Sequence, residues 1–210
     1  MPLFGNKVKS EHKVLRKLEQ DGAQLQPETH RPTPECPNPE RWHMYDSMSA
    51  EAEVLAFLQS LVTTVKPHLI VETGTFVASS TLWMAEGLRE NGFGRIVTCE
   101  YDPLVYAKAK AAIAASGFDD LIDLRNESSL EMKVEGAIDL LFSDSAFETR
   151  EPEVRRFLPQ LSPHGLVLMH DASSHHKVIR EAALRMEQEG LLSVVLLPTP
   201  RGLVLAQKRS

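Results

Sequence analysis

The chain has 210 residues, 42% of them hydrophobic and 25% charged, the composition of an ordinary globular protein, and one domain is the default at this length. A single core can bury roughly 70% of the unfolded chain's surface, so no disulfide or structural metal is required for folding. The formal net charge of −6 gives no overall attraction to nucleic acid or to an anionic membrane.

The segment Met1-Pro2-Leu3-Phe4-Gly5-Asn6-Lys7 lacks the apolar core of a signal peptide, and no run approaches the roughly 20 apolar residues that span a bilayer. A cytoplasmic protein acting on a small molecule, with neither membrane nor nucleic acid as partner, is the expectation. The two cysteines, Cys36 and Cys99, have no metal-ligand spacing. Cys99 closes the apolar run Ile96-Val97-Thr98-Cys99 and reads as a buried, reduced thiol.

In chain order, residues 7–20 place Val8, Val14, Leu15 and Leu18 amid charge, a weak amphipathic helix pattern ending at Asp21-Gly22. Five prolines, at 27, 32, 34, 37 and 39, make 26–41 extended and irregular. This arm either wraps the core and covers the site or serves as a linker. Residues 1–44 are therefore set apart from a domain over 45–210, and they make a homodimer a reasonable expectation.

Ser49 is placed as the N-cap of a helix through Ala50–Val62, with acidic residues in the first turn and Pro67 as its stop. Apolar runs and helical stretches then alternate. Leu69-Ile70-Val71 precedes a helix near 79–90, and Arg95–Cys99 precedes one near 103–116. Ile122-Asp123-Leu124 and Ile138–Phe142 follow, then a helix near 151–161, Leu166–Met169, and a helix near 176–189. Continuously apolar strands alternating with helices specify an α/β, doubly wound parallel sheet covered on both faces. The last two runs, Leu192–Leu197 and Leu203–Ala206, are joined by so short a segment that they must pair antiparallel.

Ligands of such a sheet bind beyond the carboxyl ends of its strands. After the first strand come Glu72-Thr73-Gly74-Thr75-Phe76-Val77-Ala78-Ser79-Ser80. Gly74 permits a sharp turn and close backbone approach, the following helix offers free N–H groups, and Glu72 could face a cationic group. A dinucleotide fingerprint wants three glycines, and this loop has one. Glu100, at the end of the second strand, suits the two hydroxyls of a ribose. Arg125-Asn126-Glu127-Ser128-Ser129 supplies short polar groups suited to an adenine edge, although taken alone an ordinary polar loop is the better reading.

The string Val71-Glu72-Thr73-Gly74-Thr75, with Glu100, Ser143-Asp144-Ser145 and His170-Asp171 ending later strands, resembles the class I S-adenosylmethionine-dependent O-methyltransferases. The similarity is strongest to their small-molecule and sugar branch. It spans roughly residues 45–208, and the closing hairpin matches that family's antiparallel last strand. The resemblance implies a Rossmann-like seven-stranded sheet, S-adenosylmethionine as cofactor, and O-methylation of a small hydroxylated acceptor. It also implies cofactor contacts from Glu72, Gly74, Thr75, Phe76, Ser80 (carboxylate), Glu100 (ribose), Ser128 (adenine) and Asp144 (sulfonium). A hard divalent cation such as Mg²⁺ would fall to Asp144 and Asp171.

Two positions depart from the family pattern. Ala172 stands where a second polar ligand usually follows the fifth-strand aspartate, and Phe147 stands where a lysine or histidine base is usual. Histidines of His170-Asp171-Ala172-Ser173-Ser174-His175-His176 can substitute, which makes His170 and His175, with Asp144, the catalytic candidates. The bland alternative has His170 packed at a strand end and the other two beginning an exposed helix. His43 and Tyr45 are further candidates to close over the substrate. Competing readings are a non-catalytic cofactor-binding protein and a nicotinamide-dependent oxidoreductase; the missing glycines, Glu72 and the terminal hairpin disfavour the latter.

Overall fold

The computed structural model describes residue 20 and residues 22–209; the amphipathic pattern over 7–19 lies outside them. A seven-stranded sheet forms the centre, in the order β5-β4-β3-β6-β7-β9-β8. Its strands are β3 (Leu69–Thr73), β4 (Arg95–Cys99), β5 (Ile122–Arg125), β6 (Ile138–Ser143), β7 (Leu161–His170), β8 (Leu192–Leu197) and β9 (Leu203–Lys208). The first five are parallel, and β9 lies antiparallel between β7 and β8. A small antiparallel bridge, β1 (Gln26–Pro27) with β2 (His43–Met44), and a 3₁₀ turn at Pro39–Arg41 interrupt the proline-rich arm, which was expected to have no regular structure. Two-residue strands suffice there because the prolines leave few backbone donors for anything longer.

Five helices cover the sheet: α1 (Ala52–Val65), α2 (Ser79–Asn91), α3 (Pro103–Ser116), α4 (Phe147–Phe157) and α5 (Lys177–Gln188). The period-2 alternation of strand side chains sorts the core into two layers. Ile70, Ile96, Leu140 and Leu168 meet Val54, Leu55 and Leu58 of α1 and Met84 and Leu88 of α2. Val71, Val97, Leu141 and Val167 meet Val154 and Phe157 of α4 and Ile179, Ala183 and Met186 of α5. Such two-sided burial explains why β3 opens with three apolar residues and is buried at all five positions. Both Cys36 and Cys99 are free and buried. Among the described residues no helix is long and apolar enough to cross a membrane.

Several boundaries differ from expectation for local reasons. Helix α1 begins at Ala52, with Glu51 at the N-cap and no side-chain cap. Ser49 instead donates its hydroxyl to Asp46 Oδ2 (2.8 Å), and Glu51 turns inward to other partners. Helix α4 begins at Phe147, several residues before the expected start, and contains Pro152 in its interior. A proline signals a helix start in sequence, yet here the preceding turn is already wound at the expense of one backbone donor. Strand β7 runs from Leu161, longer than its apolar tail suggests, and carries a register shift against β6 near Ile138 and Leu140.

Candidate active site

The direction of the strand order reverses between β3 and β6, where ligands of open α/β sheets bind. A cavity of about 450 Å³ opens at this point, the size of a cofactor cleft. Gly74, Thr75, Phe76 and Ser80 line it from the β3–α2 loop, Glu100 from β4, Ser129 from the loop after β5, and Asp144 and Asp171 from β6 and β7.

The glycine loop is strained where it meets the cavity. Gly74 has φ +84°, and the non-glycine residues Phe76 and Ala78 also lie in the left-handed region, at +50° and +70°. Hydrogen bonds hold this shape: Gly74 N and Thr75 N both donate to Cys99 O (3.1 Å each), and Phe76 N donates to Glu100 Oε2 (2.9 Å). The other oxygen of Glu100 accepts from Asp102 N at 3.0 Å. Glu100 is thus fixed at the cavity edge with lone pairs to spare.

Two buried carboxylates brace the strand tips from beneath. Glu72 accepts hydroxyls from Ser80 (2.6 Å), Thr81 (2.5 Å) and Thr98 (2.7 Å), and it is fully buried and absent from the cavity wall. The cationic partner expected for Glu72 is therefore replaced by a ring of hydroxyls. Burial pushes this carboxyl up to about 7, against the pull of the three hydroxyls. Well below pH 4.5, both folded and unfolded chains hold the proton. As pH rises toward 7 the unfolded chain ionises first, so stability falls across that window by up to about 3 kcal/mol. Urea denaturation at successive pH values should record this slope, and Glu72→Gln should flatten it.

Glu153 of α4 plays the same part on the other side. It accepts from Thr73 (2.7 Å), Ser143 (2.8 Å), Ser129 (2.5 Å) and Ser145 (2.5 Å), tying β3, β6 and two lining loops to one helix. Nothing in the sequence marks it except a glutamate on an otherwise apolar helix face. Ser128 does not line the cavity; its neighbours Glu127 and Ser129 do, and its Oγ accepts from Leu130 N.

Asp144 and Asp171 converge, but on a residue that the sequence reading passed over. Arg150 lies in the first turn of α4, and its side chain is only 4% exposed. Its Nη2 is 3.0 Å from both Asp144 Oδ1 and Asp171 Oδ2, Nη1 donates to His170 O (2.5 Å), and Nε donates to Ser145 O (2.8 Å). The Phe147 ring lies 5.0 Å from the guanidinium. Asp171 sits at φ +57°, which turns its carboxylate back toward this cation. Burial pushes the Asp171 carboxyl up, but His170 and Arg150 beside it more than offset this and hold it below its ordinary value.

The histidines separate into two groups. His170 is 1% exposed, bonds Glu51 Oε2 through Nε2 (2.8 Å) and faces Asp144 and Asp171 through Nδ1 (3.4 and 3.7 Å). Burial alone would lower its pKa, but the three carboxylates raise it well above the usual value. Its ring is held among these carboxylates and does not line the cavity. Glu51 also accepts from Arg201 N (3.0 Å), and Arg201 reaches Glu28 of the arm (3.2 Å).

His175 and His176 line a second cavity of about 860 Å³ with His30, Arg31, Met48, Phe147 and Asp171. It shares Met48, Phe147 and Asp171 with the first cavity. The arm therefore forms one wall of the site. His30 lies with its ring centroid 5.2 Å from His175 and 5.3 Å from His176, and His176 stacks on Phe147 at 5.2 Å. Burial holds both His30 and His176 below the ordinary histidine pKa, so both are neutral at pH 7. His30 Nε2 is buried with no partner among the described residues. His43 is tied down instead, its Nδ1 2.6 Å from Glu53 Oε1.

A family model described as a methyltransferase domain matches residues 71–172. The Mycolicibacterium vanbaalenii protein named "Putative O-methyltransferase" is 28% identical over 169 residues, 73% of this chain and 74% of that one. A catechol O-methyltransferase of Niastella koreensis is 33% identical over 95 residues, 42% of each chain. Among solved structures, the Podospora anserina methyltransferase PaMTH1 bound to S-adenosylhomocysteine superposes with a TM-score of 0.70 at 22% identity, covering 78% of this chain and 80% of that one. The Bacillus cereus O-methyltransferase in complex with the same product gives 0.68 at 20%, covering 78% and 84%. At these identities the structural likeness is one of fold.

Proposed function

We propose that the chain is a class I S-adenosylmethionine-dependent methyltransferase and that it methylates a hydroxyl oxygen of a small acceptor held in the histidine-lined chamber. The observation that carries this reading is the junction of two cavities at Met48, Phe147 and Asp171. One cavity has the strained glycine loop and Glu100; the other has three imidazoles and an aromatic face.

In this reading Gly74, Thr75 and Phe76 present backbone to the methionine part of the cofactor, and Ser80 lies at the start of α2, where free N–H groups favour a carboxylate. Glu100 receives the ribose hydroxyls, and the loop around Ser128 and Ser129 borders the adenine. When bound, the cofactor supplies an electrophilic methyl group for in-line displacement. The protein's work is to aim the acceptor oxygen and take its proton. His176 is neutral, borders Asp171 and rests on the Phe147 ring, so it is the residue best placed to take that proton, with His30 and His175 beside it. A neutral imidazole with its pKa at or below neutrality suits a base working near pH 7. Every group named comes from one chain, so this activity asks nothing of a second copy, and the net charge of −6 favours a small acceptor over nucleic acid.

Calorimetric titration with S-adenosylhomocysteine and, separately, NAD tests the cofactor half. Binding of the first alone is expected. Glu100→Ala should weaken it by about 1–3 kcal/mol through lost charged hydrogen bonds; unchanged affinity in a folded variant would refute the ribose assignment.

A further inference from the structure

Asp144, His170 and Asp171 bring one ligand atom each within 4.8 Å of one another, a spacing a metal ion could use. The same space already contains a cation. Arg150 Nη2 is 3.0 Å from a carboxylate oxygen of both aspartates, and its other two nitrogens are engaged by His170 O and Ser145 O. A guanidinium cannot be deprotonated in a protein, and its planar fork is fixed here by four acceptors from the ends of two strands. The third member of this group is an imidazole nitrogen rather than the oxygen a hard cation prefers, and Ala172, next to Asp171, adds only a buried methyl group.

We infer that Arg150 is a resident cation that stands in for a divalent metal, so the two aspartates do not bind one while the arginine is in place. A metal bonded to Asp144 and Asp171 would have to expel the guanidinium from a site where it is 4% exposed, and would leave two backbone carbonyls without their donor. A divalent ion on Asp144 Oδ1 and Asp171 Oδ2 would meet the guanidinium at the same two oxygens, where two like positive charges repel strongly. The consequence for the reaction rests on the methyltransferase reading: activation of the acceptor falls to the histidine chamber, and turnover proceeds in chelator. The exclusion of metal stands independently of that reading.

Manganese binding followed by electron paramagnetic resonance tests the inference on the full chain. Wild-type protein, with or without S-adenosylhomocysteine, is expected to leave the signal of free aqueous manganese undiminished. Arg150→Met and Arg150→Gln release the carboxylates and should deplete that signal, and adding Asp144→Asn should restore it. Depletion by the wild type that Asp144→Asn abolishes would overturn the inference, even if no Arg150 variant folds. A folded Arg150 variant that still ignores manganese would also overturn it, because the arginine would then not be what withholds these ligands. Calorimetry of S-adenosylhomocysteine in chelator is the separate arm: absence of binding there would remove the cofactor reading and leave the manganese result standing.

Discussion

Replacing Arg150 by methionine is expected to destabilise the folded chain by about 3–5 kcal/mol, the cost of leaving buried charges unpaired. For a domain of this size that corresponds to a fall in Tm of roughly 10 °C, measurable by calorimetry or circular dichroism. Methionine keeps much of the side-chain volume, so the loss reports charge and hydrogen bonding more than packing. The carboxylates of Asp144 and Asp171 would face each other and His170 with one cation removed, and His170 O and Ser145 O would lose their donors. Arg150→Lys should fall between the two, since an ammonium keeps the charge but cannot address all four acceptors.

The pH response has a definite sign. Asp171 is held below its ordinary value in the folded chain, so its contribution is present above the unfolded pKa and is lost as pH falls through the folded one. In Arg150→Met part of that support is gone at neutral pH, and the variant's acid-side slope should be shallower than the wild type's. An Arg150→Met protein as stable as wild type would mean that water reaches these carboxylates freely and that the burial argument is wrong.

Arg150 also illustrates what sequence could and could not reveal. The sheet was legible because β3, β4, β6 and β7 each contain a short apolar run and because the Pro198–Gly202 connection permits only a hairpin. The loop after β3 was legible because Gly74 and the two acids at strand ends have positional meaning in any open α/β sheet. The partners of those residues were not, because they arise from register and helix rotation. Arg150 and Glu153 lie on a helix whose start was misplaced by Pro152, and shifting that helix changes which side chains face the sheet. Glu72 read as a ligand contact because an acid beside a glycine loop is usually exposed; only the packing of α2 shows its oxygens enclosed by Ser80, Thr81 and Thr98. His30 had no periodic or spacing signal at all, since it reaches the site through an arm whose path is set by tertiary contacts from Arg201 and His175.

Gly74→Ala is expected to cost the protein at least about 2 kcal/mol in affinity for S-adenosylhomocysteine, a factor of about 30, together with a loss of stability. Two separate penalties act at this residue. A side chain at φ +84° is strained by about 1–2 kcal/mol wherever it occurs. In addition, a Cβ built on Gly74 would lie 2.5 Å from Asp144 O and 2.8 Å from Ser145 Cα, both backbone atoms on the tip of β6 that cannot rotate away. Relief requires β3 and β6 to part at their carboxyl ends, where Asp144 N donates to Thr73 O at 2.9 Å and where Glu153 ties Thr73 to Ser143. That movement would carry Asp144 and the loop through Phe76 away from each other across the mouth of the cavity. Gly117→Ala separates the two penalties, because Gly117 has φ +78° and its Cβ would meet nothing within 4 Å. It should lose about 1 kcal/mol of stability and no affinity. If Gly117→Ala and Gly74→Ala prove equal in both measurements, the close approach of β3 to β6 does not shape the cofactor cleft; if only Gly74→Ala loses binding, that approach is what sets the cleft's floor.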